Sequence, residues 1–337
     1  MIPRLDIKFP LKRQWKFWFG RQYEPKEGEY LLNHARTGIV MALRAALPDG
    51  GRVGVVAYNC HTVANAVVNA GCTPVFVDVT ENLMIEIESI PADLDAIVVT
   101  NLFGIRNDVD VVRKRCPHAV IIVDNAHGYG LPAEGDFTVY SINQGKFPAL
   151  GEGGILMVAP SISNMRLQIS DLYSHLPQYN MPGQVKLFCS MLIKAIAYSP
   201  CFYWLTMKIK KLSNPKVHQS VVMKQMAPGV RRLYQAWLPN ANKEIAAQRA
   251  NAEKICNKLS NISNCQCIIG SNAFMLIAKT QDPSALQAHF AKLNIETATH
   301  FAHAVDWAIE FGYQHNSSPV TERLTKDLLM IPTYIKE

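Results

Sequence analysis

Two residues in the first half of the chain stand out for what they could do together. Asp124 closes an apolar run, Ala119-Val120-Ile121-Ile122-Val123, and Lys146 follows 22 positions later, beyond Phe137-Thr138-Val139-Tyr140-Ser141 and a short polar link. A lysine amine attacks an aldehyde and bonds to it. A carboxylate beside a basic ring nitrogen holds the proton there. Upstream, Ala35-Arg36-Thr37-Gly38 opens a helical pattern, and the free N–H groups and positive dipole of a helix start suit a phosphate. Aldehyde, ring nitrogen and phosphate are three handles of one kind of cofactor. Taken singly, each residue has an ordinary explanation: a loop lysine is usually solvated, and an acid at a strand end often caps a helix.

For these groups to meet, the elements carrying them must end on one edge of a sheet. Helices are predicted over 37–47, where Ile39, Leu43 and Leu47 recur every four residues before Pro48-Asp49-Gly50-Gly51, and over 62–70 and 109–115. Strands are predicted over 53–57, 74–79, 96–100, 119–124, 137–141 and 154–158. Continuous Val and Ile runs alternating with helices indicate an α/β fold with a mostly parallel sheet covered on both faces. Such sheets bind ligands at the carboxyl ends of their strands. The residues at those ends are Tyr58 to His61, Asn101, Asp124 with His127, and Ser141 through Lys146. Beyond residue 165 the pattern becomes helical, apolar and proline-punctuated. An amphipathic helix over 243–259, a strand over 274–278 and helices over 283–293 and 322–329 then make a smaller α/β unit. This divides the chain into a large domain over 1–240, with a helical excursion over 165–240, and a small one over 241–337.

The cofactor with those three handles is pyridoxal phosphate, whose ring acts as an electron sink when its nitrogen stays protonated. The local strings carry a closer likeness. Asn65-Ala66-Val67 with Gly71-Cys72-Thr73-Pro74-Val75-Phe76-Val77-Asp78, then Thr100-Asn101-Leu102-Phe103-Gly104 with Asp108, then Val123-Asp124-Asn125-Ala126-His127-Gly128 follow one another in order. Gly135 through Lys146 comes next, followed by Gly151-Glu152-Gly153-Gly154; the C-terminal part adds Ile295-Glu296-Thr297, His300-Phe301, Pro319 and Leu329-Met330-Ile331-Pro332. In this order the strings resemble the DegT-type aminotransferases, the nucleotide-sugar branch of the fold-type-I pyridoxal phosphate enzymes, over most of 30–160 and 241–334.

The resemblance implies roles position by position. Lys146 would be the lysine that bonds the cofactor and moves the proton. Asp124 would pair with the ring nitrogen, and Ser141 would bind the phosphate. His127 stands where the family usually has Gln, a donor to the ring oxygen. Ala35 and Arg36 occupy the phosphate-cradling Gly-Thr positions, leaving backbone donors with Thr37 or the Arg36 cation. Cys60, or His61 beside it, sits where an aromatic usually stacks, and Asn101 replaces a usual His. His300 and Asn101 would face the substrate. The partner-subunit loop that normally supplies an Asn to the phosphate falls at Pro228-Gly229-Val230-Arg231-Arg232, where an arginine would serve instead. The implied activity is transfer of an amino group, glutamate being the donor, to a keto-sugar on a nucleotide, for surface polysaccharide or glycan synthesis, by a homodimer. A lysine rather than a histidine at 146 implies transamination rather than sugar dehydration. The alternatives are another enzyme of this fold acting on an amino acid or a lipid-linked sugar, or a non-catalytic scaffold that keeps the fold.

Composition sets the outer bounds. With 337 residues, two domains of roughly 150 residues are expected. Hydrophobic residues make up 49% and charged ones 18%, enough for a core and too apolar for disorder. The net charge of +7 is mild and suits an anionic small molecule rather than nucleic acid. Eight scattered cysteines with no CxxC pair predict neither a disulfide scaffold nor a metal site, and point to a reducing, cytoplasmic compartment. The N-terminus lacks a signal-peptide core. The most membrane-like stretch, 185–209, has Pro200 in its middle and an uncharged run of only 13 residues, 195–207, against about 20 for a span. A helix pair broken at Pro200, buried or at a subunit interface, is the favoured reading. Contact with a membrane surface, together with the basic and aromatic stretch over 12–19, is the less favoured one.

Overall fold

The computed structural model describes residues 14–210, 217–259, 265–299 and 301–334, and the side chains of 207–210 stay outside that description. Among these residues the strands are β1 (Glu29–Leu32), β2 (Arg52–Val56), β3 (Thr73–Val77), β4 (Ala96–Thr100), β5 (Val120–Asn125), β6 (Phe137–Ser141), β7 (Gly154–Val158), β8 (Gln266–Ile269), β9 (Met275–Lys279) and β10 (Leu328–Pro332). The helices are α1 (Trp15–Trp18), α2 (Ala35–Ala46), α3 (His61–Asn69), α4 (Val109–Arg115), α5 (Ser163–Ser174), α6 (Met181–Ala197), α7 (Tyr203–Lys210), α8 (Pro228–Trp237), α9 (Ala241–Leu259), α10 (Pro283–Lys292), α11 (Ala304–Ile309) and α12 (Pro319–Asp327).

A seven-stranded sheet runs β1-β7-β6-β5-β4-β2-β3, and a three-stranded one runs β10-β9-β8. Pairs from β3 through β6 are parallel, while β6–β7 and β7–β1 are antiparallel, as are both pairs of the small sheet. The expected α/β class with a mostly parallel sheet is therefore what the chain builds. The reason is visible in β4 and β6, where every residue is buried: helices cover both faces, so alternation of polar and apolar side chains has no use there. One apolar cluster lies between the sheet and α2, with Ile39, Val40, Leu43, Val98 and Leu156 in it. A second lies on the other face and includes Val99, Ile121, Met275, Ile277 and Leu324. It draws in β9 and α12, so the small sheet is packed onto the large one.

Two contacts lock that packing. The buried Asp78, just past β3, accepts hydrogen bonds at Oδ1 from Thr321 N–H and Thr321 Oγ1, both 2.8 Å, and at Oδ2 from Val320 N–H at 2.9 Å. It thus satisfies free donors at the first turn of α12. The turn between β8 and β9 also reaches across, with Ser271 N–H donating to Gly104 O at 2.9 Å.

Several expectations shift. The helix expected over 322–329 is α12, Pro319–Asp327, and the apolar run from Leu328 is the strand β10, paired with β9. A short apolar run reads the same in a buried helix or strand, and pairing decided it. β1 and β8, each of four residues, are too short to carry a legible period. The expected break at Pro200 does separate α6 from α7. The presumed loop at 228–232 is instead the start of α8, with Pro228 in the first turn, where a missing N–H costs nothing.

Replacing Asp78 by Ala strands buried N–H groups of α12. Urea unfolding followed by circular dichroism is expected to show a loss of about 1–3 kcal/mol.

Candidate active site

Lys146 owes its position to a hairpin. β6 and β7 are antiparallel neighbours, and the segment between them is closed by Ile142 N–H to Gly153 O, 2.9 Å, and Gln144 N–H to Gly151 O, 2.8 Å. Lys146 sits in the loop above that ladder, its own N–H donating to Asn143 O at 3.0 Å. Asp124 lies near the end of β5, beside β6. Both open into one cavity of about 230 Å3, which is also lined by His34, Ala35, Arg36, Cys60, His127, Ser141, Asn143, Gln144 and Phe301, among others. The strand ends of β4, β5 and β6 and the N-terminus of α2 thus converge, as parallel topology requires.

The start of α2 is held by a close approach. A Cβ on Gly154 would lie 2.2–2.5 Å from the backbone of His34 and Ala35, so only glycine lets β7 run against the helix start. His34 precedes α2 with extended backbone. Burial, and then the neighbouring Arg36 charge, push its imidazole pKa down. The neutral ring receives the Asn143 amide at Nδ1, 3.1 Å, and Asn143 Oδ1 accepts from Gly153 N–H at 2.7 Å.

The amine of Lys146 lies 2.5 Å from His127 Nε2. On the other side of the same ring, Phe103 N–H donates to Nδ1 at 3.2 Å. Nδ1 is therefore the acceptor, the proton is on Nε2, and Nε2–H donates to the lysine lone pair. That requires a neutral amine. Burial supplies it, pulling the Lys146 pKa down against the opposing pull of Cys60 and Asp124. Burial likewise pushes the Asp124 carboxyl up, countered by Ala126 N–H, which donates to Oδ1 at 2.9 Å, and by Lys146. The His127 ring is stacked with Phe103 at 27° and Phe301 at 10°. For Cys60, burial pushes the thiol up, but hydrogen bonding with His61, the Lys146 charge and Thr62 outweigh it, bringing the pKa to about 7. A thiolate at 60 and a cation at 146 favour one another, so their titrations are linked.

Of the residues singled out from the sequence, Lys146, Asp124, His127, Ser141, Ala35, Arg36 and Cys60 all line this cavity. Asn101 is not brought to it. Its amide is buried, with Nδ2 donating to Asn125 Oδ1 at 2.7 Å and Oδ1 accepting from Asn107 N–H and Nδ2 at 2.8 and 3.0 Å. His300 lies outside the described residues. His61 opens α3 and packs edge-on against Trp307, 4.9 Å between ring centres, rather than at the cavity. The Thr37 hydroxyl is buried and donates to Asn33 Oδ1 at 2.8 Å. Arg231 donates to Tyr23 O and Glu24, and Arg232 to Phe17 O, so both arginines tie α8 to the N-terminal segment instead of reaching toward a phosphate. The sequence reading overlooked His34 and Phe301. His34 immediately precedes the predicted helix start, a position that reading could have included, whereas Phe301 is named only within the string His300-Phe301 and given no role of its own. Gln144 Oε1 is buried with no hydrogen-bond partner among the described residues, an acceptor left open in the cavity's lining.

Residues 31–169 match the model of the DegT/DnrJ/EryC1/StrS aminotransferase family. No curated protein sequence matches the chain. Among solved structures, the sugar aminotransferase CalS13 from Micromonospora echinospora is similar at a TM-score of 0.74 and 15% identity, covering 100% of this chain and 96% of that one. Spr1654 from Streptococcus pneumoniae, in its PMP form, is similar at 0.71 and 16% identity, over 96% and 92%. DesI, in the presence of its TDP-sugar product, is similar at 0.68 and 16% identity, over 90% and 75%. At these identities the likeness establishes the fold.

Cys60 gives the cavity an observable handle. In cofactor-free protein its alkylation by iodoacetamide, followed by mass spectrometry, is expected to be half-maximal near pH 7. Thr62→Val removes the hydroxyl that donates to Cys60 Sγ at 3.1 Å and favours the thiolate, so the midpoint is expected to move up and alkylation at pH 7 to slow.

Proposed function

We propose that this chain, which belongs to the DegT/DnrJ/EryC1/StrS aminotransferase family, moves an amino group from glutamate to a keto-sugar carried on a nucleotide, with pyridoxal phosphate held around Lys146. The observation that carries the reading is the shared burial of the Lys146 amine and the Asp124 carboxylate in one cavity. The neighbours solved in a PMP form and with a TDP-sugar product support the cofactor and the acceptor class. The reading keeps a large unit over 1–240, a small one over 241–337 and a homodimer as the working form.

The lining suits that cofactor by its own chemistry. A neutral amine, a buried acid and a helix start free of acidic side chains answer the aldehyde, the ring nitrogen and the phosphate respectively. The Gln144 acceptor without a partner marks room for a donor that the protein itself does not supply. Cys60 and the Ala35-Arg36 pair depart from the aromatic and hydroxyl usual in the family, so the phosphate would rest on backbone N–H groups of α2, the Arg36 cation and the Ser141 hydroxyl. When bound, pyridoxal phosphate supplies an electron sink for the charge left as a proton departs.

The chain's own residues do the rest. Asp124 would hold the proton on the ring nitrogen, its buried carboxylate staying ionised beside that charge. His127, whose Nε2–H meets the Lys146 amine, would offer that donor to the ring oxygen. Lys146, neutral because it is buried, would take the proton from the substrate carbon on one side of the shared nitrogen and deliver it to the carbon on the other side. Its place in a hairpin closed on both sides keeps it within reach, where effective molarity is high. Phe301 and Phe103, packed around His127, keep water from that ring.

Protein incubated with pyridoxal phosphate is expected to show a visible band absent from the free cofactor, and glutamate is expected to shift it to that of the aminated cofactor. Lys146→Ala should abolish the band and lower turnover by about 10^3-fold. A band that ignores every amino donor would instead favour a non-catalytic scaffold.

A further inference from the structure

We propose that α1, α6 and α7 form a face that seats on the surface of an anionic lipid bilayer. α6 is apolar on two sides. Leu187 and Met191 face the core, whereas Met181, Val185, Cys189, Ile193 and Ile196, spaced by four, four, four and three, form a stripe on the outer side. Ile193 is 66% exposed and Ile196 57%. The stripe does not end with the helix. Phe202, Trp204 and Leu205 at the start of α7 are exposed as well. The rings of Phe17 and Trp18 lie 5.2 and 5.3 Å from that of Phe188, so α1 rests against α6 and adds the exposed Trp15 and Phe19. An exposed apolar area of this extent marks an interaction surface.

The charge pattern selects the occupant. Between Asp171 and Glu244 the sequence contains ten Lys and Arg and no Asp or Glu. Lys186 and Lys194 are exposed on α6 and border the stripe, and Lys16 on α1 lies over the Trp15 ring. A second copy docked by the same face would set these cations against their own images. Anionic headgroups neutralise them, while aromatic rings and isoleucines enter the headgroup boundary. Among the described residues no helix is long and apolar enough to cross a membrane, which fits helices lying in the plane of the surface. The face adjoins the cavity: Gln144 Nε2 reaches Met191 O at 3.5 Å, and the Tyr179 hydroxyl donates to Glu152.

Flotation of the full-length protein with vesicles of phosphatidylcholine, alone or with phosphatidylglycerol added, tests this directly. Binding is expected only with phosphatidylglycerol present and is expected to weaken in high salt. Ile193→Ser with Ile196→Ser, and separately Lys186→Glu with Lys194→Glu, are each expected to lower binding by about tenfold or more. Sedimentation velocity of each protein gives its mass in parallel. No binding by the parent protein, or equal binding by a folded variant, would overturn the proposal. So would a change of mass in the isoleucine variant without a change in vesicle binding, which would assign the face to a second copy. If the isoleucine variant fails to fold, the exposed lysine pair decides the question alone.

Discussion

A buried amine and a buried carboxylate line one cavity, and the rest of the large sheet is arranged around that constraint. Neither group can keep its full charge cheaply in such a place. Burial pulls the amine toward neutrality and the acid toward protonation, in opposite directions on the pH scale. The hydrogen bonds of His127 then select the neutral amine. The pair is poorly matched as a permanent ion pair and well matched to a guest that brings a ring nitrogen and an aldehyde. A cluster organised only for stability would have paired these groups directly or replaced them with apolar ones.

The parts of this arrangement that were legible in the sequence follow from periodicity. Unbroken Val and Ile runs could only be buried strands, so Asp124 and Ser141 had to emerge at strand ends, and Lys146 had to follow in the link before the next strand. What could not be read depended on long-range partners. Asn101 follows β4 directly and looked available for a substrate. The chain turns tightly after it, with Phe103 at a positive φ of 54°, and its amide closes a network with Asn107 and Asn125. Nothing near residue 101 announces those partners. Phe301 reaches the cavity from the C-terminal part; the string His300-Phe301 marks that segment, but nothing local says that the ring and not the imidazole enters the lining. The first two residues of β10 read as the end of a helix because an apolar run of five residues carries no period long enough to separate the two.

The loop bearing Lys146 is braced from three directions. β7 returns beneath it, Asn143 joins it to the residue before α2, and α6 leans on it through Met191. Gly154 is the point where two of these braces meet, and the absence of a side chain there brings helix start and strand into backbone contact. The phosphate-facing and proton-moving parts of the site therefore share one scaffold. The outer side of α6 belongs to a different physical regime, apolar and positively charged, yet it is the same helix, so the two surfaces are set relative to each other by one rigid element.

Asn272, in the turn between β8 and β9, donates its amide to the carbonyls of His127 and Tyr129, 145 and 143 positions earlier. A chain still emerging from the ribosome can complete its large sheet well before that asparagine exists. Until it does, the carbonyls of His127 and Tyr129 lack these donors. Phe301, made later still, lines the same cavity, so a product cut short before β8 would fold its large sheet with the wall of that cavity unfinished.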